Sequence, residues 1–186
     1  MKIKRQTEIE TDKYQIGDVI SFKLKNREKV QAMAVDQKDG KTVFCFVDCL
    51  HQEYPMNQTD DTAEGGYEKS LLRKILNRNI LYLFPDEIRE KMIPFENGDL
   101  LKIPSEVEIF GKNEFAKEPE EGAKQWEPMK DRRNRIAWQG SRTGIFEWYW
   151  LRDVVRASSF AYVNYVGNAT ATYASNSAGI RPAFQI

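Results

Sequence analysis

Few residues of this chain combine the types and the spacing that enzyme chemistry requires. Cys45 and Cys49 lie on one face of a predicted strand, about 13 Å apart, which is too far for a disulfide between them. His51 is the one histidine among 186 residues, so a structural zinc site would also need carboxylate ligands. A Ser–His–Asp triad would have to use the same histidine, which we expect to be an exposed loop residue. We therefore predict no metal site, no cofactor and no enzyme activity.

The chain also lacks common catalytic motifs and the net charge that would attract nucleic acid. It contains no Walker A loop, no GxGxxG, no GxSxG and no HExxH. The dense basic cluster Lys130–Arg135 lies between Trp126 and Trp138 and has residue types that contact phosphate. The formal net charge is zero, however, and no RNA-binding signature accompanies the cluster. We predict that its arginines pair with neighbouring acidic residues and that nucleic acid is not a partner.

The composition is typical of a soluble globular protein, with 41% hydrophobic and 30% charged residues. No apolar run approaches the ~20 residues that a membrane-spanning helix needs, so membrane insertion is not predicted. Residues 1–15 are charged and lack the apolar stretch of a secretory signal peptide. The absence of a disulfide pair fits a reducing site of synthesis. These features predict cytoplasmic synthesis without a signal peptide.

One segment uses a restricted set of amino-acid types. Residues 153–178 contain no Lys, Glu, Gln, Met or Trp, although the chain has 16, 17, 9, 5 and 4 of these. At the rate of the other residues, about eight would be expected here. The segment is rich in Tyr, Ser, Asn and small residues, which is the composition of adaptable recognition surfaces. A Ser/Ala-rich loop without special purpose, or a β-rich core segment, has the same composition, so composition alone leaves both alternatives open.

Strands near both ends of the chain, with helices between them, are the elements that must position this segment. Asp39-Gly40 predicts a tight hairpin, and Ser105 with Glu108 predicts a capping box that starts a short helix through Phe110. Three consecutive aromatic residues at 148–150, which place rings on both faces, predict a strand that is buried on both faces. The order of elements predicts an α+β domain with a mixed or antiparallel sheet. The other predicted helices are Tyr67–Leu76 and Asp86–Met92, and the predicted strands are Val19–Leu24, Val30–Val35, Thr42–Leu50, Leu100–Ile103, Ile136–Trp138, Glu147–Arg152, Phe160–Tyr165 and Ile180–Ile186.

The C-terminal part of the chain resembles the C-type-lectin-fold variable proteins of diversity-generating retroelements, of the gut bacterial and prophage type. The resemblance rests on YWLR at 149–152 and GIRPAF at 179–184, with supporting similarity at 101–111 and 126–135. It implies an α+β, C-type lectin-like fold with short twisted antiparallel sheets, two or three helices and long irregular loops. Residues 1–55 would be a β-strand region packed on the same domain. Residues 56–186 would be the lectin-like domain, with a candidate variable region at 153–178.

The codon chemistry of such systems accounts for the restricted alphabet. Template adenines are replaced at random, so that Asn codons acquire any base in their first two places and keep a pyrimidine in the third. Codons of this form cannot encode Lys, Glu, Gln, Met or Trp. The five amino-acid types that these codons exclude are the five that residues 153–178 lack.

The resemblance implies two sets of residues with different roles. The variable side chains would project from one face as a ligand site, with Tyr162, Tyr165 and Tyr173 together on one solvent-facing patch, since Tyr anchors binding energy disproportionately. The expected structural framework is Trp150, Leu151, Arg152, Phe160, Val163, Asn164, Gly167, Gly179, Arg181 and Pro182. The expected ligand-binding residues are Asp153, Val154, Val155, Ala157, Ser158, Ser159, Tyr162, Tyr165, Val166, Thr170, Ala171, Thr172, Tyr173 and Ala178.

The expected function is non-enzymatic recognition of an unknown protein or cell-surface ligand by a diversified lectin-fold surface. The alternative is an undiversified lectin-fold structural or receptor-binding component of a phage or mobile element. An enzyme is a third alternative, which a buried, charge-paired carboxylate cluster would favour. Calcium-dependent sugar binding is not implied, because Glu127-Pro128 is followed by Met129 and the sugar-binding motifs are absent. Some phage relatives trimerise, so a homo-oligomer stays open, as does a place in a phage virion or on a cell surface.

Overall fold

Antiparallel strands from both ends of the chain form the largest sheet. The computed structural model describes residues 13–58, 62–117, 122–140 and 144–186, so residues 1–12 of the predicted N-terminal region lie outside the described part. The strand order is β1-β2-β3-β11, and each neighbouring pair is antiparallel. The C-terminal strand therefore pairs with the N-terminal meander. The strands are β1 (Val19–Lys23), β2 (Lys29–Lys38), β3 (Lys41–Phe46) and β11 (Ala183–Gln185).

The predicted hairpin at Asp39-Gly40 is confirmed. These two residues connect β2 to β3, and both have positive φ, 53° for Asp39 and 77° for Gly40. Two successive residues in the left-handed region match the twist of a two-residue hairpin, and Asp and Gly are among the residues that tolerate that conformation. The turn therefore sets the register between β2 and β3 next to the hairpin.

The predicted helix Tyr67–Leu76 is interrupted at Ser70. Helix α1 (Gly66–Lys69) ends before this residue and helix α2 (Leu71–Ile75) begins after it. Ser70 has an extended backbone, and its Oγ accepts a hydrogen bond of 3.1 Å from the N–H of Arg73. Serine satisfies a backbone donor at a helix start better than it fits a helix interior. The prediction of one continuous helix was therefore wrong.

The remaining helices are short. A π-helical turn (Leu76–Ile80) and a 3-10 turn (Leu81–Leu83) follow α2 directly. Helix α3 (Asp86–Arg89) ends earlier than the predicted Asp86–Met92.

Helix α4 (Glu106–Phe110) confirms the prediction made from its capping box. The Ser105 hydroxyl accepts the N–H of Glu108 at 3.2 Å, and the Glu108 carboxylate accepts the N–H of Ser105 at 2.9 Å. Gly111 follows the helix in the left-handed region, with φ of 80°. The helix is therefore closed at both ends by its own sequence.

A second antiparallel sheet carries the segment with the restricted alphabet. Its strand order is β7-β8-β9. The predicted strand ending at Arg152 continues to Arg156, and the third strand was not predicted from the sequence. Residues 153–178 thus comprise the end of β7, the β8–β9 hairpin and a short return segment. The strands are β7 (Tyr149–Arg156), β8 (Ser159–Val163) and β9 (Ala169–Tyr173).

Smaller elements connect the two sheets. Where a strand was predicted at Leu100–Ile103, the structure has a single bridge between Lys102 and Ala183. The segment 126–135, predicted to be irregular, contains two 3-10 turns. The two-stranded ladders pair β4 (Tyr54–Pro55) with β10 (Ser177–Ala178) and β5 (Ala137–Trp138) with β6 (Phe146–Glu147), and the 3-10 turns are Glu127–Lys130 and Arg132–Arg135.

Residues Tyr149–Leu151 at the start of β7 are buried on both faces, as the aromatic run predicted, and most of β8 is buried as well. Trp150 and Phe160 belong to a core shared with the first sheet and the helices, whereas Tyr149, Leu151 and Val163 belong to a second core. The fold is α+β, with short helices and several small antiparallel sheets. Among the described residues, no helix is long and apolar enough to span a membrane.

Candidate ligand-binding surface

Arg181 holds three segments together inside the protein. Its side chain donates to the carbonyl oxygens of Phe46 at 2.8 Å and Asn134 at 3.0 Å, and to the Tyr149 hydroxyl at 3.0 Å. Its guanidinium also lies over the Tyr149 ring, 4.9 Å from the centroid. Burial raises the pKa of Tyr149 to about 12, so the hydroxyl stays neutral. The buried cation is thus satisfied by oxygens and a ring rather than by a carboxylate.

Trp150 and Arg152 fix β7 against neighbouring segments. The Trp150 indole N–H donates to the carbonyl of Tyr54 at 2.8 Å. The Arg152 guanidinium donates to the Glu108 carboxylate at 2.6 Å, and Lys102 pairs with the same carboxylate at 2.7 Å. Burial alone would raise the pKa of Glu108, but the two cations beside it lower the pKa to about 2. The Glu108 carboxylate is therefore ionised, and its oxygens are used in structural contacts.

The turn between β8 and β9 is built by Asn164 and Gly167. The Asn164 side-chain oxygen accepts the N–H groups of Val166 and Asn168, each at 3.1 Å. Gly167 has φ of 76°, and a Cβ added there would lie 3.2 Å from the carbonyl oxygen of Arg132. Asparagine organises tight turns through such bonds, and glycine is favoured where φ is positive. The turn is therefore specified by the Asn164 side chain and by the absence of a side chain at Gly167.

The other framework residues are closely packed. A Cβ added at Gly179 would lie 2.6 Å from Cγ of Glu147 and 2.7 Å from Sγ of Cys49. Only glycine fits between these groups without a shift of its neighbours. The remaining framework residues, all buried, are Leu151, Phe160, Val163 and Pro182.

The residues predicted to bind ligand differ widely in exposure. The two most exposed are Tyr173 at 59% and Tyr165 at 53%. Also exposed are Val154, Ala157 and Val166; half-buried are Asp153, Val155, Ser158, Tyr162, Thr170, Ala171 and Thr172; and buried are Ser159 and Ala178.

The expectation that three tyrosines form one patch was wrong. Residues paired across a sheet point to the same face, and side chains alternate along each strand. Tyr162 pairs with Thr170, and its ring lies 4.6 Å from the ring of Trp148. Tyr173 pairs with Ser159, three residues from Tyr162, and so points to the opposite face. Tyr165 lies in the turn at the other end of the hairpin from Tyr173.

Three residues expected to vary have structural surroundings instead. Ser159 is 7% exposed and Ala178 is fully buried, so their expected exposure is contradicted. Ser159 begins β8 on the face of the second core, and Ala178 packs in the first core. The Asp153 carboxylate accepts the N–H of Glu106 at 2.6 Å, at the first residue of α4. We therefore remove these three from the candidate surface.

The surface that the structure brings together lies around the β8–β9 turn. We use the name hairpin surface for Trp148, Tyr162, Tyr165, Thr170 and Thr172. By register, Tyr162, Thr170 and Thr172 share the face of the second sheet that carries the buried Trp150 and Phe160, and the Trp148 ring contacts the Tyr162 ring. Tyr165 lies in the adjoining turn, where burial and the neighbouring Glu147 and Tyr162 raise the pKa of its phenol. Aromatic rings beside threonine hydroxyls can supply both apolar contact and hydrogen bonds.

A carboxyl pair beside this surface was not found from the sequence. Glu147 is 4% exposed and its carboxylate accepts the N–H of Trp148 at 2.9 Å. Burial and the adjacent Glu53 carboxyl raise the pKa of Glu147 to about 7. The two glutamates lie far apart along the chain, so no local pattern could have paired them. Trp148 was expected only as a core residue, but its ring also contacts Tyr162 and so forms part of the hairpin surface.

The polar groups considered first from the sequence have structural roles. Lys130 pairs with Glu127 at 2.5 Å and Arg133 with Asp131 at 2.6 Å, which confirms the predicted pairing for one arginine of the cluster, whereas the Arg132 side chain donates to the carbonyl of Val166 at 2.7 Å. Cys45 and Cys49 are buried and free, and burial raises the pKa of both thiols, which disfavours thiolate chemistry. Within the described residues, no group of three or more His, Cys, Asp or Glu side chains is arranged to hold a metal ion.

The comparison with known families covers both the second sheet and much of the first. The model of a family described as a domain of unknown function (DUF6273) matches residues 39–186. No curated protein and no solved structure matches the chain. The matched region begins at the β2–β3 turn and contains all of the framework residues and the hairpin surface. Because the match spans well over half of its length, the chain belongs to the DUF6273 family.

Proposed function

We propose that this chain is a non-enzymatic binding protein with a C-type lectin-like fold, in which exposed residues of segment 153–178 recognise a protein or cell-surface ligand and are diversified by a retroelement. The observation that carries the proposal is the alphabet of residues 153–178. The segment lacks the five amino-acid types that randomised Asn codons cannot encode. About eight such residues would be expected in a segment of this length.

The arrangement of buried and exposed residues supports this function. Framework residues such as Trp150, Phe160 and Arg181 are buried and bonded, whereas Tyr165, Val166 and Tyr173 between them are exposed. Substitutions at exposed positions away from such bonds usually change stability by less than about 0.5 kcal/mol. A surface built in this way tolerates many sequences on one scaffold.

The shape of the surface favours a macromolecular ligand. Two clefts of about 640 and 440 Å³ are lined by residues outside 153–178. The exposed side chains of the segment instead lie on strands and at the tip of a hairpin. Exposed tyrosines suit contacts with proteins, whereas small molecules prefer concave sites.

The decisive experiment is to sequence the gene, its neighbourhood and many clonal descendants. The proposal predicts a reverse-transcriptase gene nearby and a near-identical repeat of the region encoding residues 153–178. Differences between the two copies should fall at adenines of the repeat. They should change exposed residues such as Val154, Tyr165 and Tyr173, and leave Trp150 and Arg181 unchanged. Differences scattered over other bases, or the absence of any repeat, would contradict diversification.

A second candidate function is an undiversified lectin-fold component of a phage or mobile element. It is favoured by the surroundings of Asp153, Ser159 and Ala178, which a freely variable segment would not bury or engage. Comparison of close homologues separates the two functions. Under this second function, substitutions would be spread over the whole protein surface and would not concentrate at 153–178.

A further inference from the structure

The strand β9 is an edge with one side unpaired. It pairs with β8 in an unbroken antiparallel register from Ser159 with Tyr173 to Val163 with Ala169. Within the described ranges of the chain, no strand lies on its other side. A row of unpaired backbone donors and acceptors at a sheet edge is a template for another strand.

The direction of each backbone group follows from two hydrogen bonds. The N–H of Ala174 donates to the carbonyl of Ser158, and the N–H of Asn164 donates to the carbonyl of Asn168, both at 2.9 Å. Bonding positions alternate along an antiparallel strand. The backbone N–H and C=O groups of Thr170 and Thr172 therefore point towards β8, and we call these residues inward-facing. The backbone groups of Ala169, Ala171 and Tyr173 point away from β8, and we call these residues outward-facing.

This edge lacks the features that normally prevent pairing between protein molecules. Residues 168–174 (NATATYA) contain no charged residue and no proline. The pairing of β8 with β9 has no bulge that would twist the edge away. Native proteins usually protect an edge with lysine, proline, a bulge or a covering segment. An edge without lysine, proline or a bulge is expected to have a partner.

We propose that β9 pairs edge to edge with β9 of a second copy of this chain, antiparallel about a two-fold axis at Ala171. Ala171 is the central residue of the five-residue strand and faces outward. Pairing centred there sets Ala169 of each copy opposite Tyr173 of the other. Each outward N–H then lies opposite an outward carbonyl, and the two sheets become one. Among these carbonyls, that of Tyr173 also accepts the N–H of Asn176 of its own chain at 3.1 Å.

The side chains of β9 are complementary to themselves under this symmetry. On one face, the exposed Tyr173 ring of each copy lies beside the small Ala169 of the other. On the opposite face, Thr170 lies beside Thr172, a favourable cross-strand pair. Because the strand has no charged residue, the two-fold axis brings no like charges together. A C2 interface requires self-complementarity of this kind.

The dimer is expected to be weak and to place two hairpin surfaces on one sheet. A pairing of two five-residue edges buries less than the roughly 1,200 Å² of a stable interface, so the dissociation constant should be micromolar or weaker. Two linked surfaces would bind a multivalent ligand more strongly than one. The pairing itself does not depend on the proposed function, since it follows from the edge alone.

Proline substitutions on the two sides of β9 test the inference with a matched pair. Ala171→Pro removes an outward N–H and leaves the β8–β9 bonds intact, as proline does on edge strands. Thr172→Pro removes an inward donor and should destabilise the fold. Sedimentation equilibrium of the wild-type chain, up to about 1 mM, should show a monomer–dimer equilibrium that Ala171→Pro weakens at least tenfold. Thermal unfolding should show a folded A171P and a destabilised T172P.

Hydrogen exchange supplies a second measurement that does not depend on any variant. The N–H of Ala171 should exchange quickly in dilute protein and slow with concentration, while the N–H of Thr172 is protected throughout. A chain that stays monomeric over the whole range, with Ala171 unprotected, would overturn the proposal. Dimerisation of equal strength in wild type and A171P would overturn it too, because the interface would then lie elsewhere.

Discussion

Glu108 is ionised inside the protein because two cations lie against its carboxylate. Arg152 and Lys102 each contact it, and its side chain is 7% exposed. The same carboxylate closes the capping box of α4. One group therefore joins β7, the bridge segment around Lys102 and a helix start.

We predict that Glu108→Gln destabilises the protein by about 3 kcal/mol at pH 7, because it leaves two half-buried cations without their anion. The pKa of Glu108 is lowered from 4.5 to about 2. Its contribution to the free energy of unfolding is therefore complete above pH 4.5 and is lost as the pH falls towards 2. Chemical unfolding as a function of pH measures both effects. Glu127→Gln, in an exposed ion pair, is the control and should change stability by less than about 0.5 kcal/mol.

Asp153 should show the opposite dependence on pH. Burial raises its pKa from 3.8 to about 7, although the N–H of Glu106 partly offsets this. The folded state therefore holds the proton more tightly than the unfolded state, and stability falls as the pH rises from about 4 to 7. Asp153→Asn keeps an oxygen for the Glu106 N–H and does not ionise. The stability of the variant should not fall over this pH range, and the variant should be more stable than wild type at pH 8. Identical profiles of stability against pH for the two proteins would contradict the raised pKa of Asp153.

At the scale of elements, the β8–β9 hairpin depends on its turn. Gly167 has φ of 76°, and a Cβ there would lie 3.2 Å from a backbone carbonyl oxygen. Gly98 has a similar φ of 83° with open space around its Cα. Gly98→Ala therefore measures the conformational cost alone, about 1 kcal/mol. We predict that Gly167→Ala costs about 1 kcal/mol more, measured by thermal unfolding, because the Arg132 backbone resists displacement. Equal losses in the two variants would show that the turn is loosely packed.

Elements with local signals were predicted from the sequence, and elements set by distant contacts were not. Asp39-Gly40 and the Ser105 capping box are complete within a few residues, so their geometry could be read directly. Strand β9 has the sequence ATATY, with small side chains and no strong apolar alternation, and it exists because β8 lies beside it. Helix α1 ends at Ser70 because a serine that fits a helix interior poorly caps the next helix.

The candidate site was predicted only in part, because some of its features have local signals in the sequence and others depend on distant contacts. The framework positions Trp150, Phe160 and Arg181 stand out by residue type, and the structure buries all three. Which face each tyrosine occupies depends on the register between β8 and β9, and no property of the isolated segment sets that register. Tyr162 and Tyr173 consequently lie on opposite faces. Glu53 and Glu147 meet only because the short strands bring remote segments together.

At the scale of the whole molecule, the second sheet is held between two hydrophobic cores. The start of β7 and most of β8 are buried, and the last strand and turn reach the surface. The C-terminal strand β11 returns to the first sheet, so both ends of segment 153–178 are anchored. This arrangement separates the residues that fix the backbone from those that are exposed. The central claim is that the exposed residues can change while the protein stays folded.

The most direct test is the folded fraction of two matched libraries displayed on cells and challenged with protease. Both use codons with any base in the first two places and a pyrimidine in the third. One library varies the exposed residues Val154, Ala157, Tyr165, Val166 and Tyr173, and the other varies the framework residues Leu151, Phe160, Val163, Asn164 and Arg181. We predict that most members of the first library resist protease like the wild type and that few members of the second do. Similar losses in both libraries would contradict the separation of framework and surface on which the account depends.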